Sequence, residues 1–150
     1  MEYRKPTFSD VEKIYELVNA YANDGLMLPR SRNSLYECLR DMIVAENEGI
    51  LVGVGALHLI WDKLAEVRTL AVSPQMKCAG IGKKIVELLV DEGKVLGVET
   101  VFTLTYQPEF FGKCGFEEIS KDQLPHKVWK ECINCPKFPN CDEIAMMRKI

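Results

Sequence analysis

The chain has 150 residues, 47% of them hydrophobic, with 19 Lys and Arg against 22 Asp and Glu for a net charge of −3. That length fits one domain, residues 1–150, with one substantial core and no room for a second. The acidic balance, with pI near 5.5, excludes nucleic acid and an anionic membrane as main partners, because affinity for either grows with clustered Lys and Arg.

Glu2, Arg4, Lys5 and Asp10 interrupt the N-terminus, and every apolar run is too short for a membrane span. Neither a signal peptide nor a transmembrane helix is expected, and the predicted location is cytoplasmic. There the six cysteines default to reduced thiols. Cys38, Cys78 and Cys114 stand singly and read as small, partly buried side chains.

Tyr3 to Thr7 reads as a short strand. Ser9-x-x-Glu12 has the form of a capping box opening a helix whose apolar residues are Val11, Ile14, Tyr15, Val18 and Ala22, and Asn23-Asp-Gly25 ends it. A loop from Leu26 to Arg32 leads to a second helix carrying Ser34-x-x-Glu37 and the apolar set Leu35, Leu39, Met42 and Ile43. Met42 to Ala45 and Ile50 to Ile60 read as strands around the turn Glu46-Asn-Glu-Gly49, and Leu64 to Val72 as the next strand after Trp61-Asp-Lys63.

That strand breaks into Ser73-Pro-Gln-Met-Lys77-Cys-Ala-Gly80-Ile-Gly82-Lys-Lys84 and then a helix with Ile81, Ile85, Leu88, Leu89, Val95 and Leu96 in helical spacing, ended by Gly97. Gly80 and Gly82 lack the Cβ atoms that would keep a ligand off the backbone. The unpaired N–H groups of a first helical turn point at any anion placed there, and Lys77, Lys83 and Lys84 add positive charge. The spacing fits neither a Walker loop nor the dinucleotide fingerprint, whose third glycine is Ile85 here. By itself the glycine pair also reads as a tight strand-to-helix turn. A strand over Thr100 to Thr105, a short helix near Pro108 to Cys114, a strand from Phe116 and a last strand near Glu143 to Lys149 complete the order.

Lys77-x-x-Gly80-x-Gly82 after Leu-Ala-Val-x-Pro resembles the Arg/Gln-x-x-Gly-x-Gly/Ala signature of the GCN5-related N-acetyltransferase (GNAT) family. Further along, Glu109-Phe-Phe-Gly-Lys-Cys-Gly-Phe116 is similar to that family's Phe-Tyr-x-Lys-x-Gly-Phe run. The resemblance implies an α+β GNAT fold: a mixed, mostly antiparallel sheet flanked by helices, whose central strands, Leu64 to Val72 and Thr100 to Thr105, splay apart to admit the pantetheine arm of acetyl-CoA, the expected co-substrate. It implies backbone groups of Leu70, Ala71 and Val72 along that arm and backbone N–H groups from Cys78 through Ala79, Gly80, Ile81 and Gly82 to Lys83 on the pyrophosphate. Lys77 stands where the family has Arg or Gln, keeping the charge but losing a planar, forked donor.

Acetylating an amine requires a base, because the amine arrives as ammonium. Glu66 is the candidate, on the strand that the family uses to line the acyl end. It alternates with Arg68 and Leu70, so these three are expected to share one face. The family's leaving-group acid is the Tyr that is replaced here by Phe111, which cannot donate a proton; Tyr106, or water, is the substitute, and Tyr106 also reads as a packing residue.

Asp24-Gly-Leu-Met-Leu-Pro-Arg30-Ser-Arg32, Ala65-Glu-Val-Arg-Thr-Leu-Ala-Val-Ser-Pro74 and Asp122-Gln-Leu-Pro125 resemble runs of the bacterial N-acetylglutamate synthase branch, which also tolerates Phe at the acid position. The implied substrate is L-glutamate, whose carboxylates suit Arg forks. Arg30 and Arg32 are the substrate-binding candidates, with His58 and Lys127 behind them; His58 also reads as a partly buried strand histidine, and the arginines as solvated loop charges. Larger relatives fuse this domain to an arginine-sensing one, so feedback inhibition is not implied. The expected partner is a small amino acid, and a homodimer is compatible with the sequence. The alternatives are another small amine as acceptor, or an acyl-CoA-binding regulatory module without turnover.

The segment 126–142 is Cys-rich. Cys132, Cys135 and Cys141 offer three ligands with His126 or Asp142 nearby, whereas closed tetrahedral sites hold four. Reduced thiols or a redox-labile disulfide are expected there ahead of a metal.

Overall fold

The computed structural model of the chain describes residues 1–76, 79–124 and 143–150. Its strands are β1 (Glu2–Arg4), β2 (Met42–Asn47), β3 (Ile50–Trp61), β4 (Leu64–Val72), β5 (Thr100–Thr105), β6 (Glu117–Ile119) and β7 (Ile144–Lys149). The α-helices are α1 (Val11–Asn23), α2 (Arg32–Glu37), α3 (Ile81–Leu96) and α4 (Pro108–Lys113). The strands form a seven-stranded sheet in the order β1-β2-β3-β4-β5-β7-β6. Neighbours are antiparallel except β4 and β5. The parallel pair needs a long crossover, and α3 supplies it.

Tight turns join β2 to β3 and β3 to β4. Glu48 and Gly49 both take positive φ, 51° and 78°, as a two-residue hairpin turn of matching twist requires. Strand alternation then sends β3 side chains to two opposite faces. On one face α1 buries Val11, Ile14, Val18 and Tyr21 with Leu35 of α2 against Met42, Val44, Val54, Ala56 and Ala71. On the other, α3 buries Ile81, Ile85, Val86, Leu89 and Val90 against Ala45, Val52, Leu57, Val67 and Val101. Each such aliphatic side chain contributes roughly 1.5–3 kcal/mol when fully buried.

The α3 face differs from the one expected at its C-terminal end. Val95 and Leu96 are 87% and 57% exposed, and Gly93 is the buried residue of that turn. The close approach is set on the strand side. A Cβ at Gly55 would stand 2.6 Å from Ile85 Cγ2, and one at Gly53 would stand 3.0 Å from Ile81 Cγ2, so this helix rests on a β3 backbone stripped of side chains.

Other boundaries differ too: β2 runs on to Asn47 and β3 to Trp61. β1 stops at Arg4 instead of Thr7, two residues ahead of Pro6, which has no N–H for a ladder. The cap before α1 is built from Thr7 and Asp10 and not from Ser9 and Glu12: the Asp10 carboxylate accepts the Thr7 N–H at 2.7 Å, while Glu12 pairs with Arg32. α2 starts a turn earlier than Ser34, because Ser31 Oγ accepts the Ser34 N–H at 3.1 Å. It ends at Glu37, and a 3-10 turn over Leu39–Asp41 delivers Met42 and Ile43 to β2. Among the described residues no helix is long and apolar enough to cross a membrane.

Arg4 ties β1 to this corner. Its guanidinium donates to both Asp10 oxygens, at 2.8 and 2.9 Å, and reaches Glu46 on β2 at 3.4 Å. The Arg4 guanidinium is the main cause that holds the nearly buried Asp10 carboxyl at about 2, below its ordinary 3.8. A carboxyl depressed in the fold stabilises it above the unfolded value and ceases to as the pH falls through the folded one. The contribution, about 2 kcal/mol, should therefore be complete above about pH 4 and vanish towards pH 2. Urea unfolding of Asp10→Asn across pH 2–7 should show a loss of about that size at pH 7 and a flatter acid limb; an acid limb as steep as that of the unaltered chain would contradict the assignment.

Candidate active site

β4 and β5 pair at Leu64↔Thr100, Ala65↔Val101 and Glu66↔Phe102 and at no later position. Beyond this fork the Val67 carbonyl accepts from Thr103 Oγ1 at 2.9 Å, in a buried position, in place of a strand partner. β4 also carries a bulge. Val54 pairs with Ala71 and Ala56 with Arg68, so two steps on β3 face three on β4, and Thr69 takes a φ of 61°. The extra residue reverses the alternation.

That reversal overturns the expectation that Glu66, Arg68 and Leu70 share a face. Leu70 approaches Gly55 on the α3 side, with its Cδ1 3.1 Å from where a Cβ would stand, whereas Ala65 and Val67 pack with α3 and so turn Glu66 and Arg68 the opposite way. Glu66 and Arg68 are an ion pair at 3.4 Å, both largely buried. His58 is the direct cross-strand neighbour of Glu66. His58 Nδ1 lies 2.7 Å from Asp41 Oδ2, a contact with a residue that stands in no sequence motif.

Leu70, Ala71 and Val72 form the last part of β4, past the fork. A short 3-10 turn, Pro74–Met76, follows, then Ala79 and Gly80 ahead of α3. Gly80 is left-handed at φ 79°, a Cβ there would meet nothing within 4 Å, and among the described residues no side chain caps the helix start. Lys83 and Lys84 are exposed in that first turn. An anion with a chain attached fits this arrangement: open space over a glycine, uncapped N–H groups and two lysines. Gly82 meets a packing demand as well. A Cβ there would stand 3.1 Å from the Phe110 ring and 3.5 Å from Val72 Cγ2, so its missing side chain lets α4 close on α3.

Tyr106 follows β5 and lines an open hollow of about 490 Å³ with Gln107, Pro108, Glu109, Phe110 and Lys113. Phe111, at the position of the family's acid, is 5% exposed and stacks edge-on to Phe110 and Phe116, with centroids 5.1 and 5.3 Å apart. It is a core ring. Cys114 is buried too, which pushes its thiol up from the ordinary range.

Arg32 and Arg30 lie at the α1–α2 connection. The Arg32 guanidinium is engaged: it donates to Glu12 at 2.6 and 3.2 Å and lies 4.0 Å over the Tyr15 ring. The Arg30 carbonyl accepts from Asn19 Nδ2 at 3.2 Å, fixing the backbone there. Lys77, Cys78, Lys127, Cys132, Cys135 and Cys141 fall outside the described residues.

Over residues 11–116 the chain matches the acetyltransferase (GNAT) family, and it belongs to that family. It is an acetyl-CoA-dependent acetyltransferase. An uncharacterized N-acetyltransferase of Chlorobaculum tepidum is 39% identical over 147 residues, covering 98% of this chain and 95% of that protein. An amino-acid acetyltransferase of Mycobacterium tuberculosis is 40% identical over 131 residues, 85% of this chain and 75% of that one. In structure the chain is similar to N-acetylglutamate synthase from Neisseria gonorrhoeae complexed with coenzyme A and N-acetyl-glutamate. The TM-score is 0.90 at 26% identity, over 99% of this chain and 34% of that one.

Gly80 and Gly97 allow a controlled test, because they bracket α3, both take positive φ, 79° and 89°, and a Cβ at either meets nothing within 4 Å. Valine at either position adds the same left-handed strain, roughly 1–2 kcal/mol or somewhat more. Gly80→Val should weaken coenzyme A binding at least about tenfold by calorimetry, and Gly97→Val should leave it unchanged at similar melting temperature. Equal losses of affinity would mean that strain alone is responsible.

Proposed function

We propose that the chain acetylates the α-amine of L-glutamate, the first step of arginine biosynthesis, in the cytoplasm. The carrying observation is the position of Glu66 in the last paired rung before β4 and β5 part, on the face turned away from α3. The likeness to N-acetylglutamate synthase solved with coenzyme A and N-acetyl-glutamate, and to an amino-acid acetyltransferase at 40% identity, supports glutamate over other amines.

Acetyl-CoA supplies the acetyl group as an activated thioester. In this reading backbone groups of Leu70, Ala71 and Val72 orient its arm along the unpaired edge of β4, with one N–H on the thioester carbonyl, and the turn from Ala79 to Lys83 holds the pyrophosphate. Glu66, fixed by Arg68, accepts a proton from the glutamate ammonium, directly or through water. The freed amine forms the new C–N bond as the C–S bond breaks, and a proton from Tyr106 or water goes to the departing thiolate. Arg30 grips a substrate carboxylate; the engagement of Arg32 with Glu12 and Tyr15 gives it a supporting part in shaping that loop. His58 and Lys127 are the further candidates for the substrate's side-chain carboxylate. A second reading, an acyl-CoA-binding module, draws on the burial of Phe111, which leaves the family's acid position without a proton donor.

An amine panel with acetyl-CoA separates these readings. Glutamate should be turned over. Glu66→Gln should lower kcat by about 10²–10⁴-fold with coenzyme A binding intact, and Arg30→Ala should raise the KM for glutamate by about tenfold or more. Turnover of an unrelated amine with glutamate inert would refute the synthase reading. Binding of coenzyme A without turnover of any amine would favour the module.

A further inference from the structure

We propose that Cys38, Asp41 and His58 form a binding site for one zinc-class divalent cation. One donor atom from each lies within 4.8 Å of the others, and all three side chains are partly buried. They come together for backbone reasons. Cys38 ends α2 and starts the 3-10 turn, which the Asp41 N–H closes onto the Cys38 carbonyl at 3.0 Å. A 3-10 turn has about three residues per turn, so side chains three apart are eclipsed, and Cys38 and Asp41 point the same way. β3 supplies the third group. Its pairing with β2 begins only at Met42↔Ala56, so β3 overruns β2, and the 3-10 turn stands where the next strand residues would. His58 meets that turn, with its Nδ1 already 2.7 Å from Asp41 Oδ2.

The donor set selects the ion. A thiolate, an imidazole and a carboxylate suit zinc or cobalt, whereas magnesium and calcium prefer sites made wholly of oxygen. Three protein ligands leave a fourth tetrahedral position for water or a small anion. With ligands about 2.0–2.1 Å from the metal, neighbouring nitrogen and oxygen donors stand about 3.3 Å apart, so the Asp41–His58 contact needs to open only slightly. Binding removes the Cys38 thiol proton and takes the neutral imidazole, so affinity rises with pH as protons are released.

The test uses the full chain carrying Cys132→Ser, Cys135→Ser and Cys141→Ser, so that tail thiols do not compete. Calorimetric titration with zinc should give one equivalent, and cobalt(II) should give a thiolate charge-transfer band. Cys38→Ser should abolish that band and Asp41→Asn should sharply weaken zinc binding, with each variant's fold checked by circular dichroism. Zinc should also raise the melting temperature of the parent and not that of Cys38→Ser. Absence of binding at micromolar zinc, which would leave Asp41 and His58 as a hydrogen-bonded pair only, overturns the proposal; so does binding that both substitutions leave unchanged. Neither outcome depends on acetyl transfer, so this proposal and the synthase reading fail separately.

Discussion

Thr103 Oγ1 gives its proton to the Val67 carbonyl at 2.9 Å, where the next rung of the parallel ladder between β4 and β5 would otherwise stand. A buried backbone carbonyl without a donor costs about 1–3 kcal/mol, which ordinarily keeps neighbouring strands zipped to their ends. A hydroxyl on the opposite strand removes that penalty while holding the backbones further apart than an amide could. The strands can therefore diverge without leaving an unsatisfied group at the fork, and the far side of β5 remains anchored to β7 over six paired residues from Thr100 to Thr105. The gap thus opens between two strands that are each held on the other side, β4 by β3 and β5 by β7.

An opened sheet loses cohesion, and α3 restores it. Its residues Ile81, Ile85 and Leu89 press onto β3 where Gly53 and Gly55 leave bare backbone, which brings the axis of the helix close to the sheet just beside the gap. α4, which follows the open end of β5, closes on the start of α3, with Phe110 seated over Gly82 and Phe111 inside the ring cluster with Phe116. One consequence is that the start of α3 is fixed by packing on two sides while, among the described residues, no side chain caps its first N–H groups. Rigid supports around an unsatisfied helix end suit the binding of an anion.

The elements legible in the sequence are those in which a local signal and the tertiary context agree. β4 and β5 have the bounds that alternation and turn residues predict, Leu64–Val72 and Thr100–Thr105, and α3 begins after Gly80 and stops before Gly97. The cap of α1 is ambiguous in sequence, since Ser9-x-x-Glu12 satisfies the same pattern as Thr7-x-x-Asp10; in the fold Arg4 of β1 holds Asp10 while Arg32 engages Glu12. The bulge at Thr69 gave no signal at all: a β-branched residue is a poor occupant of positive φ, and nothing in Arg-Thr-Leu marks it. Asp41 likewise carries no local signal: it meets His58 because β3 overruns β2, and nothing among its own neighbours in sequence marks it. Gly82 meets a packing demand that its motif does not reveal: the space its missing side chain frees is filled by Phe110.

The bulge has the largest effect on chemistry. Without it Glu66, Arg68 and Leu70 would lie in one row; with it, Leu70 turns towards α3, while Glu66, Arg68 and His58 remain on the opposite side of the sheet. On the proposed reading the thioester, threaded beside Leu70 to Val72, and the amine, gathered near Glu66, then approach from different faces and meet at the gap. What the bulge changes is the side chains: the Leu70 side chain no longer shares the face that carries Glu66. Thr69, held at a φ of 61°, is the strained residue that makes the exchange of faces, and such strain persists only where the surrounding packing enforces it. Here that packing is the β3 pairing on both sides of the bulge and the buried Thr103 hydroxyl beside it, so the fork and the bulge maintain each other.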